Sequence, residues 1–319
     1  MTSLNESFDV TSSNTKHLKR GGLRHLERFL GLRLDNALSI GTDAVFISLD
    51  LEVGSDRQRL HLFTDEPVIT QVSFARLDIR DFASLSASSN LESLISVHMY
   101  KIEVPPKSKK AARKQERSCI FTHTQRIRRD KVPTILMQNL RIKNINLRPN
   151  STASDQLRGI ILIGHSIRED LKILRLLGIN ISTIAPIVAI IDTHTLSRFV
   201  LPPHHPNVPT LPGQDFSLRG VLAQLGCRPP IETFHNAGND AVYSLLAMLL
   251  LAVRNSTARK AELSAGELVN LHRIKHAVSQ MQMHHALAGM DTQCLNLNSN
   301  SPVTLGAGLR ELALLYRSS

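Results

Sequence analysis

Two acids one residue apart, Asp50 and Glu52 in VFISLDLE, are the first side chains of this chain whose types and spacing invite chemistry. In a strand, alternate residues share a face, so Phe46, Ser48, Asp50 and Glu52 project together while Val45, Ile47, Leu49 and Leu51 take the other side. Two like charges held side by side repel and weaken the fold unless a cation sits between them, as a divalent metal does. A solvated sheet face would carry the same pattern, so the pair alone leaves both readings open. In GHSIREDLKILRLLG, a helical wheel groups Ile167, Leu171, Ile173, Leu174 and Leu177 against Arg168, Glu169, Lys172 and Arg175. Asp170 is the one charge on the apolar side, where a buried salt bridge or a metal would each offset the cost of burial. In HNAGNDAVYSLLAMLLLAVR, Asp240 is the one residue charged at neutral pH from Asn236 to Val253, in a helix apolar all round. His235 lies five positions before it and Asn236 could cap the helix start. A histidine at a helix start often serves structure alone, and its interest here comes from the acids around it.

Four carboxylates set against their own hydrophobic pattern point to one site that gathers divalent cations. Oxygen donors with few histidines and no cysteine favour hard ions, Mg²⁺ or Mn²⁺, over zinc. Two such ions about 3.5 to 4 Å apart can stabilise the attacking and leaving oxygens of an in-line displacement at phosphorus. A phosphodiester is then the natural substrate.

The elements that must position these residues follow from the same string. Polar residues fill 1–15, and an amphipathic helix is predicted after Gly21 and Gly22, with Leu23, Leu26, Phe29 and Leu30 on one side. Strands are expected at 44–51, 68–77 and 95–102, each rich in Val, Ile and Phe. Apolar runs at 159–164 and 187–192 then alternate with helices, which is the pattern of strands covered on both faces. Five prolines make 201–212 a loop, a helix at 217–225 ends at Gly226, and further helices are expected at 237–254 and 260–283. Three strands followed by a β/α alternation imply an α/β fold whose mixed sheet combines an antiparallel meander with parallel strands. The expected organisation is a mobile N-terminus with a short helix at 1–41, a domain at 42–255 with a basic insertion at about 103–131, and a helical, partly disordered extension at 256–319.

The chain has 319 residues, 42% hydrophobic and 20% charged, which excludes wholesale disorder and a membrane-embedded protein. Its net charge is +11, and eleven basic against three acidic residues in 101–131 supply +8 of it. A pI near 10.0 suggests an anionic partner. Lys107, Lys109, Lys110, Arg113 and Lys114 form the densest part of the run; they read as nucleic-acid contacts, or as a solvated loop or localisation signal. Cys119, Cys227 and Cys294 lie too far apart in sequence for a CxxC pair, so neither a disulfide framework nor a thiolate zinc site is expected. With no secretory or mitochondrial signature at the N-terminus and no apolar run of roughly 20 residues, the expected location is cytoplasm or nucleus, off the membrane. Aromatic residues make up 4% with no Trp, so base-stacking platforms must be sparse, and Phe234 reads as a packing residue more than as one of them. Asp192 at the end of IVAIID reads as a helix cap.

Taken in order, Asp50-x-Glu52, Asp170 in GHSIREDLKIL and His235-x4-Asp240 in HNAGNDA resemble the DEDDh family of 3′-to-5′ exonucleases, which have the ribonuclease H-like fold. The resemblance spans roughly 42–254. It is nearest to a fungal branch, the C-terminal domain of proteins linked to an mRNA-export DEAD-box helicase, in the runs ITQVSFARLDIRDF, IIDTHTLSR and FHNAGNDAVYSLLAML. A sister group carries Y-x3-D, which would need tyrosine at 236, where this chain has Asn236. The resemblance implies that Asp50 bridges two Mg²⁺ or Mn²⁺ ions, that Glu52, Asp170 and Asp240 complete their coordination, and that His235 is the general base toward water. It implies RNA or single-stranded DNA as substrate and nucleoside 5′-monophosphates as products. Two other readings stay open: a weakly active or inactive nucleic-acid-binding scaffold in RNA metabolism or mRNA export, and an endonuclease of the same fold.

Overall fold

The central strand sets the frame. Residues Val45 to Leu49 are buried on both faces, and the strand reaches half-burial only beyond them, at Asp50, Glu52 and Val53. The protein was studied as a computed structural model that describes residues 22–33, 44–54, 67–83, 91–103, 118–144, 157–202 and 216–294. The expectations for 1–21, for the prolines from 203 on, for 295–319 and for Lys107, Lys109, Lys110, Arg113 and Lys114 lie outside the described residues.

In chain order the elements are α1 (Gly22–Phe29), β1 (Val45–Val53), β2 (Ile69–Asp78), α2 (Ile79–Ala83), α3 (Leu91–Leu94), β3 (Ile95–Glu103), β4 (Thr124–Arg128), α4 (Val132–Leu140), β5 (Ile160–Gly164), α5 (Ile167–Leu176), α6 (Ile181–Ile184), β6 (Ile187–Asp192), α7 (Thr193–Val200), α8 (Leu218–Gln224), α9 (Ala237–Ala258) and α10 (Ala265–Cys294). The strands form one six-stranded sheet in the order β4-β3-β2-β1-β5-β6. β1, β2 and β3 are the antiparallel meander, while β5 runs parallel to β1, β6 to β5, and β4 to β3. This is the mixed sheet of a ribonuclease H-like α/β fold, flanked by helices on both faces.

Strand periodicity sorts the core into two layers. Phe46, Ala75 and Leu77 face α9, and Ile47, Leu49, Val72 and Phe74 face α4 and α5. Helix α9 is long and apolar enough to cross a membrane, yet it is the core helix of this fold, packed against β1, β2, α1, α7, α8 and α10. Its uniform apolarity follows from being wrapped on every side. Helices α1 and α10, on either side of 42–255 in the chain, share this core through Leu26 and through Leu271, Ile274 and Met281. Glu27 of α1 is 1% exposed, and its carboxylate accepts from Asn255 and Ser256 at the end of α9 and pairs with Arg259 at 2.8 Å. Buried Arg158 pairs with Asp78 and donates to the Ala44 carbonyl, clamping the end of β2 to the starts of β1 and β5. Burial alone would raise the Asp78 carboxyl, but the Arg158 guanidinium and the Arg80 amide hold it below its ordinary range.

Within the basic stretch, residues 124–128 form β4, an edge strand that the sequence pattern does not announce. Its single apolar residue, Ile127, packs on the α4/α5 layer, and the strand forms because β3 offers it an unpaired edge.

Candidate functional site

Strand β5 stops short of β1. Pairing runs from Val45 with Ile160 to Ser48 with Ile163, so the last residues of β1 project past the end of β5. The chain then turns at Ser166, whose φ of 62° is left-handed, and enters α5 on the layer opposite α9. From that helix Asp170, 8% exposed, reaches the open side of β1, where its Oδ1 accepts from the Leu51 amide at 3.1 Å. A carboxylate thus satisfies a backbone donor that β5 leaves over. The Ser166 turn is itself tied down by Asp192, whose Oδ1 accepts from the Ser166, His194 and Thr195 amides and caps α7.

The acids of β1 face the start of α9. Asn236 caps this helix by accepting from the Asn239 amide, and Gln71, paired with Glu52 across β1 and β2, accepts from the Ala237 amide at 2.9 Å. Gln71 therefore docks the helix start on the strand that carries Glu52. His235 sits just before the cap with φ of 59°, a conformation that costs a side-chain-bearing residue roughly 1 to 2 kcal/mol. Asp240 stabilises that turn, since its Oδ2 accepts from the His235 amide at 2.9 Å. Asn239 accepts from the Ile120 amide and donates to the Ser118 and Thr233 carbonyls, so it ties the approach to β4 and the His235 turn to one side chain. Gly238 permits this closeness, because a Cβ there would stand 2.5 Å from Cys119 Sγ.

Together these interactions gather Glu52, His235 and Asp240, with ligand atoms of the three within 4.8 Å of one another. Asp50 and Asp170 lie on the same cleft, which has a volume of about 1160 Å³ and is lined by all five residues singled out in the sequence. Glu52 is half-buried, His235 exposed and Asp240 buried, so the cluster opens to solvent on the histidine side. Carboxylate oxygens and an imidazole nitrogen at this spacing form a donor set that fits a divalent cation.

The cleft is also lined by residues that sequence reasoning did not mark as part of a site: His165, His194, Phe216, Lys172 and Arg219. His165 Nδ1 lies 3.0 Å from Thr193 Oγ1 and Nε2 lies 2.8 Å from the Phe216 carbonyl. Burial, with His194 adding to it, pushes the His165 imidazole down to about 4, so it is neutral at physiological pH. The His194 ring meets the His165 and Phe216 rings edge to face, and the Arg198 guanidinium lies 5.7 Å from the Phe216 centroid. The signal available in the sequence was the position of GHS after an apolar run, because parallel β1 and β5 bring their C-terminal ends to one edge of the sheet. Phe234, also on the cleft, is buried against Tyr243 with ring centroids 5.1 Å apart.

Residues 45–251, more than half of the chain, match a family described as DEDDh_C, DNA polymerase III subunit epsilon-like, C-terminal domain. No curated protein matches the chain in sequence.

Proposed function

Because the chain belongs to the DEDDh_C family, the DNA polymerase III subunit epsilon-like C-terminal domain, we propose that it is a metal-dependent 3′-to-5′ exonuclease that hydrolyses RNA or single-stranded DNA. The observation that carries the reading is the gathering of Glu52, His235 and Asp240 at the end of β1, with Asp50 and Asp170 on the same cleft. Asp50, Glu52, Asp170 and Asp240 would hold two Mg²⁺ or Mn²⁺ ions. Bound there, such ions supply Lewis-acid stabilisation of the charge that develops on the attacking and leaving oxygens.

The remaining steps belong to the chain itself. His235, exposed at the rim of the acidic cluster, takes the proton of the attacking water. Its turn is held by the Asp240 carboxylate, which fixes the backbone of the base beside a metal-binding acid. Water oxygen joins phosphorus, the bond from phosphorus to the 3′-oxygen breaks, and that oxygen leaves as the new 3′ terminus. A nucleoside 5′-monophosphate departs through the open side of the cleft. Asp170 of α5 is held against β1 by the hydrogen bond from the Leu51 amide.

Release of mononucleotides from a 3′-labelled single strand in Mg²⁺ or Mn²⁺ tests the reading. His235→Ala is expected to lower the rate about 10²- to 10⁴-fold, and Asp50→Ala to abolish it. Wild-type protein no faster than these variants would overturn it. A second reading, a nucleic-acid-binding scaffold in RNA metabolism, is favoured by the exposed basic residues of β4. It predicts binding that survives Asp50→Ala without turnover in the wild type.

A further inference from the structure

The register of the meander carries the acidic end of β1 sideways to a basic edge. Glu52 pairs with Gln71, Gln71 with Lys101, and Lys101 with Arg126, one row across four strands. Laterally paired residues project to the same face. The face is fixed by its neighbours: a Cβ on Gly238 of α9 would meet Met99 Sδ at 2.9 Å, and Thr124 Oγ1 donates to the same sulfur at 3.6 Å. Met99 and Thr124 therefore point toward α9, and so do Lys101 and Arg126 two residues further on each strand. Tyr100, Ile102 and Ile127 take the opposite layer. Lys101 and Arg126 thus share a face with Asp50 and Glu52, and they lie just outside the start of α9.

Three strand spacings of about 4.8 Å put Arg126 about 14 Å from Glu52 along this row, beyond the reach of a single nucleotide. One step further along the ladder, Glu103 pairs in register with Arg128, whose guanidinium also meets Asp130 at 3.0 Å. Nor does the edge float free of the site. Asn239, the neighbour of Asp240, holds both Ser118 and Ile120 on the way into β4. A row of cations in fixed register with a phosphodiester-cleaving cluster fits the phosphates of a single strand.

We propose that Lys101 and Arg126 form a phosphate track that holds the part of a single-stranded nucleic acid lying 5′ of the scissile bond, more than one nucleotide from the site. The track rests on the nucleic-acid reading of the cleft and adds to it a path for the strand. It reads charge and spacing, so it serves RNA and DNA alike and makes the protein prefer strands of several nucleotides over dinucleotides.

Binding of fluorescein-labelled decathymidylate and of a labelled thymidine dinucleotide, followed by anisotropy in an Asp50→Asn background to prevent turnover, tests this. Adding Lys101→Ala and Arg126→Ala should weaken decathymidylate binding at least fivefold. The slope of log affinity against log salt should fall by about 1.4, at about 0.7 for each phosphate of a single strand that is no longer neutralised. Dinucleotide affinity should change less than twofold. Arg141→Ala, an exposed cation that follows α4 on the opposite layer, serves as the control and should leave both affinities as they were. Unchanged decathymidylate binding in the double variant, or an equal loss for both ligands, overturns the track. A separate turnover assay on the parent keeps the two readings apart: no hydrolysis with an Arg126-dependent long-strand preference sinks the exonuclease and leaves the track standing. Hydrolysis without that preference does the reverse.

Discussion

Replacing Gly238 by alanine tests how tightly the start of α9 is built against the approach to β4. A Cβ at this position would stand 2.5 Å from Cys119 Sγ, 2.9 Å from Met99 Sδ and 3.2 Å from Asn236 Oδ1. Alanine in a helix gains up to about 1 kcal/mol over glycine. Overpacking of this severity costs about 1 to 3 kcal/mol. Cys119 has little room to retreat, because Asn239 holds the backbone of the residues on both sides of it. The expected balance is a loss of up to about 2 kcal/mol, measured by urea unfolding. Cys119→Ala removes the closest atom, and the double variant should recover about half of the loss, with the flexible Met99 thioether absorbing part of the remainder. A Gly238→Ala protein more stable than wild type, or strict additivity with Cys119→Ala, would refute the close packing of these two segments.

Two further outcomes follow from buried polar groups. Glu27→Ala removes the nearer of the two carboxylates that Arg259 meets and leaves the Asn255 and Ser256 donors without their acceptor, which should cost about 2 to 4 kcal/mol in urea unfolding; a loss under about 1 kcal/mol would show that α1 contributes little to the fold. His165 has a folded pKa of about 4, below its ordinary 6.5, so the unfolded chain takes up this proton first as pH falls. Its share of stability is whole above about 6.5 and shrinks as pH drops toward 4, by at most about 3 kcal/mol. His165→Gln should flatten that part of the stability profile, and an unchanged slope would contradict the buried, neutral imidazole.

Most of the sheet was legible because its strands are apolar runs of strand length. The meander strands and the two parallel strands begin and end within a residue or two of the positions read from the pattern. β4 was not legible, since TQRIR carries one apolar residue and exists as a strand by borrowing the edge of β3. Asp170 stood out as a charge on an apolar helix face, but its partner is the amide of Leu51, 119 positions away, which no local pattern encodes. The same holds for Gln71, an ordinary strand residue until the register sets it beside Glu52 and under the Ala237 amide. His165, His194 and Phe216 were silent because isolated aromatic residues carry no periodicity, and it is the β5–β6 pairing, with His165 bonded to Thr193 and Phe216, that assembles them.

In the proposed reaction, the acids at the end of β1 remove nucleotides one at a time from a 3′ end. A 5′-labelled single strand incubated with the protein and Mn²⁺, sampled over time on a sequencing gel, tests it most directly. The expected result is a ladder that shortens by single nucleotides from the 3′ side, stops when the metal is chelated, and is absent for Asp170→Asn. A full-length band that persists with metal present, or cutting of a circular strand that has no 3′ end, would contradict it.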